Sequence, residues 1–195
     1  MPLSLVLLAI LLAPHPASAH IAGTASGFGA GFLHPLLGPD HLVAMVAVGL
    51  WGAQLASPAL WILPVAFPLV MAVGGLIGIS GISVPYPEQM IALSGLALGL
   101  MVAFRVRMAF WAAAMLVAVF ALFHGYSHGR EMPQAADAAN FAIGFVVATG
   151  LLHLLGISIG VGDRSRIGRR AIQGLGVAIA AVGGFFVVTT LGAAG

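Results

Sequence analysis

Apolar residues run along this chain in long blocks, broken by short polar or proline-containing stretches. Six blocks, residues 30–54, 58–80, 88–105, 108–129, 138–160 and 171–193, approach or exceed the length a helix needs to cross the hydrocarbon core, which is about 20 apolar residues. Ser57-Pro58 parts the first two, and a stretch with Pro85 and Pro87 parts the next two. Arg105-Val106-Arg107 predicts a tight third turn, and residues 130–137 and 162–170 form the remaining connections. Residues 3–12 form a further apolar run, too short to span, followed by the small-x-small pattern Ala17-Ser18-Ala19. That order predicts a cleaved signal peptide. The expected fold is an all-α membrane protein, with a signal peptide over residues 1–19 and a single six-helix transmembrane bundle over residues 20–195.

Composition sharpens the picture. Of 195 residues, 61% are hydrophobic and 6% are charged, and the mean hydropathy is +1.13. A soluble domain carries roughly 25% charged residues, so this chain cannot clothe a globular surface. Soluble enzymes and nucleic-acid binders are excluded. The pI near 9.9 comes from seven arginines and no lysine, dispersed rather than gathered into a basic patch. Cysteine is absent, which removes disulfides, thiolate metal sites and cysteine nucleophiles. The 27 glycines include Gly74-Gly75, Gly78, Gly95 and Gly99, a small-residue pattern that lets membrane helices approach closely.

Cleavage after Ala19 places the new N-terminus outside, and six spans then return the C-terminus to the same side. Arg105, Arg107, Arg164, Arg166, Arg169 and Arg170 fall in cytoplasmic connections and only Arg130 falls outside. That bias follows the positive-inside rule, which had no part in choosing the orientation. Both termini are thus expected in the periplasm of a bacterial inner-membrane protein. Trp51, Trp61, Trp111 and Tyr86 are assigned to an interfacial aromatic belt.

Ionisable groups inside spans are costly and point to function. The first block opens His34-Pro35-Leu36-Leu37-Gly38-Pro39-Asp40-His41. On a straight helix His34 and His41 would stand about 10.5 Å apart, too far to share one ion. Pro35, Gly38 and Pro39 argue for a kinked or broken helix that draws them together, and broken helices at membrane depth line binding sites. The fourth block ends His124-Gly125-Tyr126-Ser127-His128-Gly129-Arg130-Glu131. Its His124, His128 and Glu131 share one helical face at i, i+4 and i+7. His153 lies deep in the fifth block, with a helix–helix hydrogen bond as its alternative role. Asp137 reads as a helix N-cap and Glu88 as a helix-start residue. Met45 reads as packing. His20 would be the mature N-terminus, where an α-amine beside an imidazole chelates metal. Imidazole and carboxylate donors without thiolate suit Ni²⁺, Co²⁺ and Zn²⁺. Mg²⁺ and Ca²⁺ would want more oxygen.

The stretch HPLLGPDHLVAMVAVGLWGAQL (34–55) and the segment FHGYSHGREMP (123–133) resemble the two hallmark motifs of the HupE/UreJ family, the hydrogenase and urease accessory membrane proteins. The six expected spans, the signal peptide and the His at the new start fit as well, so the resemblance covers the whole chain. A looser likeness links it to nickel/cobalt transporters with a His, four residues, then Asp-His. Here five residues separate His34 from Asp40.

The resemblance implies a nickel permease serving hydrogenase or urease maturation proteins, with cobalt as cargo in some contexts and no permanently bound cofactor; the donor types leave zinc open as well. It carries over His34, Asp40 and His41 from the first motif and His124, His128 and Glu131 from the second. The partners implied are the metal ion, the lipid bilayer and those maturation proteins, with homo-oligomerisation left open and no nucleic acid. The expected mechanism is passive or weakly coupled uptake. The outer His/Glu cluster captures the ion, and Asp40 offsets its desolvation at mid-depth. An inside-negative potential of 100 mV would supply about 4.6 kcal/mol for a divalent ion. Neutral imidazole is needed, so uptake should fall below about pH 6. A nucleotide-binding G-x-x-x-x-G-K-[ST] motif is absent. The competing classes are an intramembrane zinc hydrolase, a bis-His haem protein, and a metal donor or sensor that does not translocate.

Overall fold

The computed structural model describes residues 27–132 and 138–192. The expected signal peptide, His20 and Asp137 lie outside the described residues. Those that are described form α-helices: α1 (Gly27–Leu37), α2 (Pro39–Leu55), α3 (Ala59–Ile79), α4 (Pro87–Ala103), α5 (Phe110–Glu131), α6 (Ala138–Gly160) and α7 (Arg166–Gly192). A 3-10 turn at Val161–Arg164 links the last two.

The first apolar block is not one straight helix. It breaks at Gly38, and α1 and α2 meet at a bend of 81°. Gly38 is extended, at φ −91° and ψ 105°, and Pro39 occupies the first turn of α2. A proline there gives up an N–H that would lack a helical partner anyway. Helix α2 then restarts with Leu42 N–H donating to the Gly38 carbonyl at 2.9 Å.

Helices α3, α5, α6 and α7 are each long and apolar enough to cross a membrane, and the bent α1–α2 pair makes a fifth candidate span. The six full-length spans expected from the sequence are therefore not all present as such among the described residues. Helix α4 has 17 residues, about 25 Å at 1.5 Å per residue. Its ends fall earlier than expected, so the third turn occupies residues 104–109 instead of three residues. Helix α7 begins at Arg166, five residues ahead of the expected start, and takes Arg166, Arg169 and Arg170 into its first turns.

Helix α2 runs through the middle of the bundle, with Val43 to Trp51 all buried. Trp51 therefore does not belong to the interfacial belt. It is fully buried, and its indole N–H donates to the Val106 carbonyl at 2.9 Å. Trp61, Trp111 and Tyr86 are exposed. Around α2 the outer faces are apolar: Leu69, Leu76, Met115 and Val188 are all exposed. Such faces suit acyl chains, and the chain is a multi-pass membrane protein.

In lipid, close packing replaces hydrophobic burial as the force between helices. Glycines supply it here. A Cβ at Gly125 would strike the Met71 carbonyl and one at Gly74 the Leu122 carbonyl, so α3 and α5 meet backbone to backbone. Gly31 against Phe141 and Gly144 against Phe28 bind α1 to the start of α6, while Gly49 and Gly156 bind α2 to its second half. Gly99 and Gly176 join α4 to α7.

Polar side chains close one end of the bundle. Gln54 and Gln173 donate to the Val102 and Ala103 carbonyls at 3.2 and 3.1 Å, adding side-chain partners to acceptors in the last turn of α4. The Arg105 guanidinium is bonded to the Asp163 carboxylate. The turn after α4 and the turn after α6 therefore lie at the same end. His34 and Glu131 mark the other.

Candidate metal site

The break at Gly38 is what assembles the site. It lets His34, in the last turn of α1, and Asp40 and His41, in the first turn of α2, face the same stretch of α5. A side chain at position 38 would crowd both neighbours. Its Cβ would stand 3.1 Å from His41 Nδ1 and 3.3 Å from the Asp40 carboxylate.

On α5 the i, i+4, i+7 spacing brings His124, His128 and Glu131 to the same face, as the sequence predicts. The His34 ring lies 4.7 Å from that of His128, and the His128 ring 4.5 Å from that of His41. The His41 ring in turn lies 5.0 Å from that of His124. Four imidazoles from three helices thus form a continuous string. At its exposed end His34 Nε2 is 3.3 Å from a Glu131 carboxylate oxygen. Glu131 thus pairs with His34 and not with its neighbour Arg130.

His128 stands where a close donor trio meets the rest of the string. One donor atom each from His34, His128 and Glu131 lie within 4.8 Å of one another. A first-row ion with bonds near 2.1 Å holds its donors at most about 4.2 Å apart, so this trio would close by some tenths of an ångström on binding. His41 and His124 continue the string from His128, and among the described residues only the first trio gathers its donor atoms this closely. His41 Nδ1 is 2.9 Å from an Asp40 carboxylate oxygen, which also accepts the His41 backbone N–H at 2.9 Å. His124 Nδ1 is 2.9 Å from the Phe120 carbonyl. Each ring is thereby held by one nitrogen. The other nitrogens, His41 Nε2, His124 Nε2 and both of His128, are buried with no protein partner.

Buried polar atoms without partners are expensive. Three of them on adjoining rings, two of those rings oriented through their other nitrogen by a carboxylate or a carbonyl, form the usual arrangement of metal-binding histidine. In this geometry Asp40 orients His41 and supplies charge from behind the ring. Burial is graded along the string. The Glu131 side chain is 52% exposed and that of His34 29%, whereas His128 and His124 are buried.

His153 stands apart from these six. It is buried on α6, with its ring 5.3 Å from that of Phe67, whose own ring lies 5.4 Å from that of His124. Met45 is core packing, fully buried.

Sequence reasoning passed over several residues that line this region. Ser127 donates its hydroxyl to Glu88 at 3.0 Å, which carries a third carboxylate toward α5. Phe145 packs on the His128 ring at 4.3 Å and Phe141 on His34 at 5.7 Å. Glu88 had only a helix-start role in the sequence. The phenylalanines carry no polar signal that could single them out.

The HupE / UreJ protein family profile matches residues 8–186 of the chain. Protein HupE of Rhizobium leguminosarum bv. viciae is 44% identical over 181 residues, covering 93% of this chain and 95% of the relative. Solved structures yield no significant match.

Proposed function

Because the chain belongs to the HupE/UreJ family, we propose that its imidazole string carries a divalent transition-metal ion, Ni²⁺ first among them, across the bacterial inner membrane toward the cytoplasm. The observation that carries this reading is the set of unpartnered buried nitrogens on His41, His124 and His128. The ion enters at the exposed Glu131 and His34 with His128, and exchanges part of its water for those donors. His128 then turns it over to His41 and His124. Sharing His128 between the close trio and the rest of the string keeps neither fully closed, which suits transit better than storage: a conducted ion must bind well enough to enter and weakly enough to leave.

Asp40 has a distinct part. Its charge lowers the cost of holding a dication away from water, and its contact with His41 Nδ1 directs the Nε2 lone pair toward the ion. The arginines at the Arg105–Asp163 end match a cytoplasmic face, which sets the direction of flow down an inside-negative potential. The metal so delivered would serve hydrogenase or urease maturation.

Nickel influx into proteoliposomes containing a metal-sensitive dye tests the reading. Wild-type protein should admit Ni²⁺, with Co²⁺ and Zn²⁺ ranked beside it, and Asp40→Ala and His41→Ala should each abolish entry. Influx no faster than into protein-free liposomes would refute it. Metal held tightly by the wild type without influx would point instead to a donor or a hydrolase.

A further inference from the structure

We propose that His153 and Thr149, with the backbone carbonyl of Pro64 steadying the His153 ring, form a second cation station, reached past Phe67 from the His41, His124 and His128 group. The inference rests on the permease reading and extends its route.

His153 is 1% exposed and Thr149 is wholly buried. They stand at i and i+4 on α6, hence on one helical face. Neither ring nitrogen of His153 makes a hydrogen bond of normal geometry, and the Thr149 hydroxyl likewise has no partner. A buried threonine in a helix can ordinarily return its hydroxyl to the carbonyl four residues back, as Ser158 does to Leu154 at 2.7 Å in the same helix. Thr149 does not.

The prolines of α3 place a carbonyl beside this pair. Helix α3 contains Pro64 and Pro68. Pro68 has no N–H, so the Pro64 carbonyl loses its helical donor. That carbonyl lies toward the His153 ring, where it can accept from one imidazole N–H and leave the other nitrogen to a metal. The donors turned to an ion are then one nitrogen and one hydroxyl oxygen, with no carboxylate. Such a neutral set binds a dication more weakly than the group backed by Asp40, as a later station should if the ion is to move on.

Position supports the same order. His153 lies 15 residues into α6, about 22 Å along the axis, whereas His124 lies seven residues, about 10 Å, from Glu131 at the exposed end of α5. The Phe67 ring touches both His124 and His153. The backbone around His153 is held by α2, since a Cβ on Gly49 would collide with the His153 carbonyl.

Two measurements on the full chain in lipid test the station. The first compares nickel influx with equilibrium nickel affinity for wild type, Thr149→Val, Thr149→Ser and His153→Gln. Thr149→Val and His153→Gln should slow influx about tenfold or more while affinity stays within about twofold, and Thr149→Ser should restore most of the rate. Influx kept by the Val and Gln variants overturns the proposal. So does a joint loss of affinity and influx that Ser does not rescue, which would mean a packing role. The second titrates Zn²⁺ into protein with ¹⁵N-labelled histidine. The His153 ring nitrogens should shift as the metal saturates, and unmoved resonances overturn the proposal. A wild type that admits no nickel while its His153 signals do shift would sink the permease reading and leave the station standing.

Discussion

Replacing Asp40 with asparagine separates charge from geometry at the centre of the site. Asparagine keeps the side-chain oxygen that accepts the His41 backbone N–H and faces His41 Nδ1, both at 2.9 Å in the native protein. The ring orientation therefore survives, and only the negative charge goes. A dication on His41 Nε2, with a bond of about 2 Å, sits about 7 Å from the carboxylate across the width of the imidazole. At an effective dielectric constant near 20 that charge is worth up to about 5 kcal/mol to the ion. Every 1.4 kcal/mol is tenfold in affinity, so the ceiling exceeds three decades. Solvent reaching the carboxylate, which is 19% exposed, screens part of this. We expect Asp40→Asn to weaken nickel affinity at least about 100-fold and to raise the half-saturating concentration for influx in step. Isothermal titration in nanodiscs gives the first quantity, and initial dye-quench rates over a nickel series give the second. An asparagine variant within about threefold of wild type in both would refute the electrostatic role of Asp40.

Other expectations follow from neighbouring features. Glu131→Gln should slow nickel entry at low concentration and leave the rate at saturation nearly intact, because Glu131 sits at the exposed end of the string; equal losses at both concentrations would contradict a capture role. Gly125→Ala should destabilise the bundle by about 1–3 kcal/mol or more, since its methyl meets the Met71 backbone, and thermal unfolding in detergent would register the drop. Influx should decline steadily as the outer solution is acidified, because protonated imidazole cannot donate to metal; an unchanged rate at acid pH would argue against histidine ligands. The chain has no native cysteine, so Arg107→Cys and Arg169→Cys offer clean labels. Both should react with an impermeant maleimide only from the cytoplasmic side.

Much of the site was legible because its constraints are local. His124, His128 and Glu131 share a face by helical spacing alone, and Pro35, Gly38 and Pro39 announce the break that brings His34 and His41 to them. What stayed hidden depends on contacts between helices. Trp51 looks interfacial by type, yet it is buried because Val106, 55 residues on, offers it a carbonyl. Glu88 reaches the site through Ser127, 39 residues away, and Phe67 matters through the rings it touches. The short α4 was overestimated because apolar sequence runs past Ala103, while the helix stops where Gln54 and Gln173 cap its last carbonyls. Hydropathy records which residues tolerate lipid and is blind to such tertiary caps.

The central claim is that imidazole nitrogens of His41, His124 and His128 hold the travelling ion. Nickel K-edge X-ray absorption on protein loaded with one equivalent of Ni²⁺ in nanodiscs tests it most directly. The account predicts a first shell with two or three imidazole nitrogens at about 2.1 Å, falling by one in His124→Ala. A shell of oxygen alone, unchanged by that substitution, would contradict it.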